Sequence, residues 1–201
     1  MMIASRNGFA VRDLPSGCVR VQYLESTGTQ RIDTGCNADY NLGIDITFAL
    51  SDTLDNRFGA IRPAGGYIRH HLNCDGGVLN YYLAGSPFLG IVPDVERHTV
   101  KYDPISQILR LDNGSASTSI ISYFDTQLNY WLFYRNANGA AFMTPGRMKI
   151  WTASFSTSGT LARDFIPVRK DGVGYMYDRV SKTLFANAGT GAFIIGPDGA
   201  A

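Results

Sequence analysis

Apolar and polar residues alternate in short runs along this chain, and no window keeps a helical period for longer than about two turns. "IDITFAL" (residues 44–50) is the cleanest case, with Ile44, Ile46 and Phe48 on one face and Asp45 and Thr47 on the other. "VRVQYL", "QRIDT", "RFGAIR", "GYIRHHL" and "VLNYYLA" read as further strands, punctuated by "STG", "PAGG" and "DGG". "HTVKYD" and "QILRLD" predict a pair across "PIS". The Asp112-Asn113-Gly114 turn that follows favours positive φ, which Asn and Gly tolerate best. "NYWLFYR" (residues 129–135) is apolar on both faces, as expected of an inner strand covered on both sides. "MKIWTASFS" and "TLARDFIPVR" predict a long hairpin, in which Pro167 should end regular pairing by removing a donor. "VGYMYD", "KTLFAN" and "AFIIG" complete a set of about a dozen short strands. A flat open sheet of that size would be strained by its own twist, so two packed sheets are expected.

At 201 residues the chain suits one large β domain. A segment before Gly17 stands apart in pattern, which divides the chain into an N-terminal arm, residues 1–16, and a sandwich domain, residues 17–201. The arm is expected to pack on its own domain or on other protein subunits. Its apolar clusters are interrupted by Arg6, Arg12 and Asp13, so no signal peptide is read there. No stretch approaches the roughly 18 apolar residues of a membrane helix. A net charge of +1 with interspersed signs gives no support to nucleic acid binding. Cys18, Cys36 and Cys74 are odd in number and widely spaced, which favours free thiols over a disulfide scaffold.

Two end blocks, "LPSGCVRVQYLESTGTQRIDTG" and "GRMKIWTASFSTSGTLARDFIPVRKDGVGYMYDRVSKTLFANAGTGAFIIGP", with "RFGAIR" and "HTVKYD" between them, carry a family likeness. They resemble the laminin-G-like, concanavalin-A-like jelly-roll modules of surface and phage structural proteins of gut bacteria. The resemblance covers roughly residues 14–197. It implies an all-β, two-sheet antiparallel jelly-roll sandwich with first and last strands close together. It also implies a place on a virion or bacterial cell surface. Lectins, glycoside hydrolases and structural modules share this fold, so the fold does not select an activity.

The residues themselves argue against catalysis. Glycoside hydrolysis needs two carboxylic side chains flanking one bond, and no two carboxylates sit at i and i+2 or i and i+4 of a predicted strand. The chain has two glutamates, Glu25 and Glu96. His70 and His71 are strand neighbours that point to opposite faces, and His98 lies on another strand, so no zinc set is expected. "NCDGG" and "SDTLDN" leave a structural calcium open without the spacing of a recognised motif; otherwise no cofactor is expected. Arg163 and Asp164 should each find a partner across the sheet. Candidate ligand contacts gather instead around Tyr67, Tyr81 and Tyr82, with Asn73 and Asp75 beside them: exposed rings stack on sugar C–H faces while polar neighbours take hydroxyls. Of Tyr81 and Tyr82, one must face away from the inner layer. Two functions follow as expectations: a non-enzymatic structural or adhesive component of a multi-subunit assembly, or a carbohydrate-binding module acting in attachment.

Overall fold

Alternation along the chain translates directly into strands, and every regular element among the described residues is one. The computed structural model describes residues 14–53, 57–62, 68–75, 77–84, 86–118, 123–138 and 140–199, with the backbone alone for 75, 86–89 and 140–145. Thirteen of the sixteen arm residues, Tyr67 and the whole of "PAGG" therefore lie outside the described residues.

In chain order the strands are β1 (Cys18–Arg20), β2 (Leu24–Ser26), β3 (Ile32–Asp39), β4 (Leu42–Leu50), β5 (Arg57–Arg62), β6 (Ile68–Asp75), β7 (Val78–Ala84) and β8 (Ser86–Ile91). Then come β9 (His98–Asp103), β10 (Ile108–Leu111), β11 (Gly114–Ser117), β12 (Asp125–Leu132), β13 (Tyr134–Ala137) and β14 (Ala140–Pro145). The last are β15 (Met148–Thr157), β16 (Thr160–Lys170), β17 (Val173–Asp178), β18 (Thr183–Phe185) and β19 (Ile194–Ile195). They form an 11-stranded sheet whose main path runs β11-β10-β9-β4-β15-β16-β17-β18. The second, 8-stranded sheet runs β14-β13-β5-β6-β7-β8, with β12 held between β3 and β5. Pairing is antiparallel except between β13 and β5.

The inner faces of the two sheets close on one core. Ile44, Ile46 and Phe48 of β4 meet Phe58 and Ala60 of β5, Leu72 of β6 and Tyr81 of β7, all buried. Phe48 and Phe58 cross the gap with ring centroids 5.4 Å apart, and Tyr130 and Phe155 with 5.3 Å. Burying each such side chain stabilises the sandwich by about 1.5–3 kcal/mol before entropy is counted. The β9–β10 pair and the β15–β16 hairpin form as the sequence predicts.

Past Ala153 and Phe165, β15 and β16 splay apart, and the first strands fill the wedge. β2 pairs with β15, β1 with β16, and β19 with β2; Val21 bridges Asp198. First and last described strands thus lie side by side. The wedge also corrects the reading of Pro167. It does not end β16, because its carbonyl accepts from Val21 N (3.1 Å) on the side β15 has left. The missing N–H falls on that side, and the ladder to β17 runs on to Lys170.

Three other details differ from the sequence reading. The left-handed residue of the turn after β10 is Asp112 (φ 51°), fixed by its own carboxylate, which accepts from Thr99 N (2.8 Å) and contacts His98 Nδ1 (2.7 Å). The "NYWLFYR" run is an inner strand, but it breaks at Phe133 (φ 67°) and re-enters the sheet as β13. Finally, the "STG" turn is organised by buried Gln30, whose Oε1 accepts from Thr27 N (2.9 Å) and Ser26 Oγ (3.0 Å).

Candidate ligand-binding face

β6 carries "RHHLN", and its alternation sends consecutive histidines to opposite sides of the smaller sheet. His70 points inward and is wholly buried among Tyr81, Tyr102, Phe124 and Tyr130, each ring standing edge-on at 5.5–5.9 Å. Neither ring nitrogen has a partner, and burial lowers its pKa to about 3, so it stays neutral in the fold.

His71 points outward and yet is only 2 % exposed. It lies in a row across the sheet: Arg135 on β13 is opposite Gly59 on β5, Gly59 is opposite His71, and His71 is opposite Tyr82 on β7. The His71 and Tyr82 rings sit 5.3 Å apart at 33°, and the Arg69 guanidinium covers Tyr82 at 4.8 Å. Gly59 (φ 119°) makes the close approach between strands possible, since a Cβ there would lie 2.7 Å from both Cα and Cβ of His71. Arg57, opposite Asn73, completes the surround.

The electrostatics follow from this layout. Burial holds His71 well below the ordinary histidine range, and the cations Arg135, Arg69 and Arg57 add to the effect, opposed by a hydrogen bond to the Ala60 backbone. Nδ1 is the nitrogen without a partner, so Nε2 is the one that donates to the Ala60 carbonyl. A neutral imidazole with its proton on Nε2 presents a lone pair at Nδ1. Two residues along the same face, Asn73 is 6 % exposed and its Oδ1 also lacks a partner. The face therefore offers two buried acceptors, two residues apart on one strand, beside an aromatic ring. Native interiors rarely leave such atoms unpaired unless water or a ligand completes them.

Of the residues the sequence singled out, the structure brings Asn73 and Tyr82 together on this face. Asp75 follows Asn73 in β6, opposite Val78, and its side chain lies outside the described ones, as does the whole of Tyr67. Tyr81 goes the other way: it is fully buried, with its hydroxyl 3.1 Å from that of Tyr130, so its ring belongs to the core and not to a ligand surface. Strand parity decides this, since Leu79, Tyr81 and Leu83 share the inner face. Sequence reasoning missed His71, Arg57, Arg69 and Arg135. The available signal was Arg69, His71 and Asn73 at successive same-face positions of one strand. Trp131 lies on the same side, 5 % exposed, beneath Arg31 at 4.5 Å.

A concavity of about 380 Å³ occupies the outer side of the larger sheet, bounded by Gly43, Asp45, Lys101, Asp103, Ile105 and Leu161. Its charged groups have partners within the chain: Lys101 pairs with Asp45 (3.4 Å), and Asp103 accepts from Ile105 N and Ser106 Oγ. Elsewhere Arg163 and Asp164 find partners as expected, in Asp178 and Arg179. Cys18, Cys36 and Cys74 are free thiols. Among the described residues no group of three or more His, Cys, Asp or Glu side chains is arranged to hold a metal, and no helix is long and apolar enough to cross a membrane.

Comparison with known proteins returns no matching family model, no matching curated protein and no matching solved structure.

Proposed function

We propose that this chain is a non-enzymatic attachment module that binds carbohydrate through the outer face of its smaller sheet. The observation that carries the reading is the pair of buried acceptors, His71 Nδ1 and Asn73 Oδ1, without partners beside the Tyr82 ring. Sugars supply what that face lacks: hydroxyl donors for the two acceptors and a C–H face for the ring. We read the sandwich as a concanavalin-A-like jelly roll and the module as a component of a multi-subunit assembly such as a phage virion or bacterial surface structure. Both readings rest on the sequence resemblance and on the closeness of the first and last described strands, with β19 paired to β2 and Val21 bridged to Asp198.

One observation bears on the arm. Leu14 packs with Ile166, Val168 and Tyr177, an apolar strip of the larger sheet separate from the main core.

A glycan array tests the proposal. The intact chain should bind a defined subset of saccharides, and Tyr82→Ala should abolish that binding while the protein stays folded by circular dichroism. Binding that survives both Tyr82→Ala and Asn73→Ala would move the site elsewhere.

A further inference from the structure

A third unpaired atom lies on the same outer face. Trp131 of β12 is buried, and its indole Nε1 has no acceptor. The strand pairing puts it in one row with the residues described above: Trp131 is opposite Gly59, Gly59 is opposite His71, and His71 is opposite Tyr82. Directly opposed residues share a face, and Tyr130 and Leu132 on either side of Trp131 belong to the core. Neighbouring strands are about 5 Å apart, so the row from Trp131 to Tyr82 covers about 15 Å, and Asn73 lies about 7 Å along β6 from His71.

The two ends of the row are built alike. Trp131 lies under the Arg31 guanidinium at 4.5 Å, and Tyr82 under that of Arg69 at 4.8 Å. Each of these cations is engaged with its ring. The row and its flank also carry one neutral donor, Trp131 Nε1, and two neutral acceptors, His71 Nδ1 and Asn73 Oδ1. Gly59, between His71 and Trp131, adds no side chain to the row.

That arrangement is too long for one sugar. A pyranose ring is about as wide as one inter-strand step, ~5 Å. A ring over Tyr82 therefore brings hydroxyls to His71 and Asn73 and stops two strands short of Trp131. A linked glycan laid across the strands advances by about one ring per strand. Its successive rings supply what the row lacks: hydroxyl donors for the acceptors at one end, and hydroxyl or bridging oxygens for the indole N–H at the other. An aromatic ring at each end suits a polymer, which repeats the same C–H face along its length.

We propose that this face takes a linear oligosaccharide of about three to four units laid across its strands, with one end on Tyr82, His71 and Asn73 and the other on Trp131. The inference rests on the carbohydrate-binding reading above and narrows it to an extended glycan chain.

The experiment is a set of linear ladders, one to six units long, of β-1,4-linked glucose, mannose, xylose and N-acetylglucosamine and of α-1,4-linked glucose. They are titrated against the full chain and against Trp131→Phe, which keeps an aromatic ring and removes the indole N–H. For the intact chain, affinity should rise about tenfold or more between the one-unit and four-unit members of a bound ladder and then level off. Trp131→Phe should flatten the rise beyond two units and spare the shorter members, with folding checked by circular dichroism; the ladder on the intact chain decides even where that variant misfolds. Equal affinity for one-unit and four-unit members, or a rise that folded Trp131→Phe leaves intact, overturns the inference and leaves carbohydrate binding standing. Glycan-array binding confined to single terminal sugars, with no ladder bound, does the same. Absence of binding both on every ladder and on the wider array removes both readings.

Discussion

In the larger sheet charged groups meet one another. Lys101 faces Asp45, Arg169 grips Asp198 through two hydrogen bonds, and buried Asp178 accepts from Asp164 N, Val180 N and the Ser181 backbone and hydroxyl while lying 3.6 Å from Arg163. In the smaller sheet His70, His71, Asn73 and Trp131 are as deeply buried, yet each keeps at least one polar atom unpaired. On the proposed reading, this difference is what separates scaffold from site. A satisfied buried group holds the fold and is costly to remove, whereas an unsatisfied one contributes little to stability, and an apolar replacement of similar shape can be neutral or better.

That contrast can be broken by substitution, and the largest effect belongs to the larger sheet. Asp178→Ala should cost about 3–5 kcal/mol, read as a drop in urea midpoint at unchanged slope, because its donors would be left buried without an acceptor. Burial raises the Asp178 pKa, but the hydrogen bonds from Asp164, Ser181 and Val180 outweigh it and hold the carboxyl below its ordinary 3.8. Its contribution to stability is therefore fully present above that value and is lost as pH falls through the lower folded value.

Next comes His70→Phe, expected to raise stability by about 1–3 kcal/mol, since the variant no longer buries two unpaired ring nitrogens. The wild type should also lose stability as pH falls from 6.5 towards about 3, because the unfolded chain takes up a proton that the caged imidazole refuses. Urea midpoints of wild type and variant should diverge through that window, and parallel curves would place a partner on His70.

A smaller effect is expected of His71→Phe, within about 1 kcal/mol of wild type, with loss of saccharide binding. The pairing of near-neutral stability with lost binding is what a purely structural histidine would not show. Lys101→Ala should be smallest, under about 0.5 kcal/mol, as for other exposed ion pairs, and should leave binding untouched.

Much of the fold was legible because strand patterning is a local property. Ile44, Ile46 and Phe48 are all inside, the β9–β10 and β15–β16 pairs form where their turns indicate, and the histidines of "RHHLN" part to opposite faces. Departures arise where a long-range partner decides. Pro167 stays in its strand because a wedge opens beside it, and Phe133 takes a left-handed φ at the junction of β12 and β13. The proposed site was half legible for the same reason. Composition pointed to Asn73 and Tyr82, but choosing Tyr82 over Tyr81 requires the parity of β7, and Arg135 reaches His71 only through Gly59, from a strand 64 residues further along the sequence.

The measurement that bears most directly on the comparison is chemical-shift mapping of the isotopically labelled chain with an array-positive saccharide. The shifts should concentrate on His71, Asn73, Tyr82 and the Arg69 side chain, and the residues around Gly43 and Lys101 should stay still. Shifts confined to the concavity between Asp45, Lys101 and Leu161, with His71 and Tyr82 unmoved, would place the binding site on the larger sheet and contradict the account.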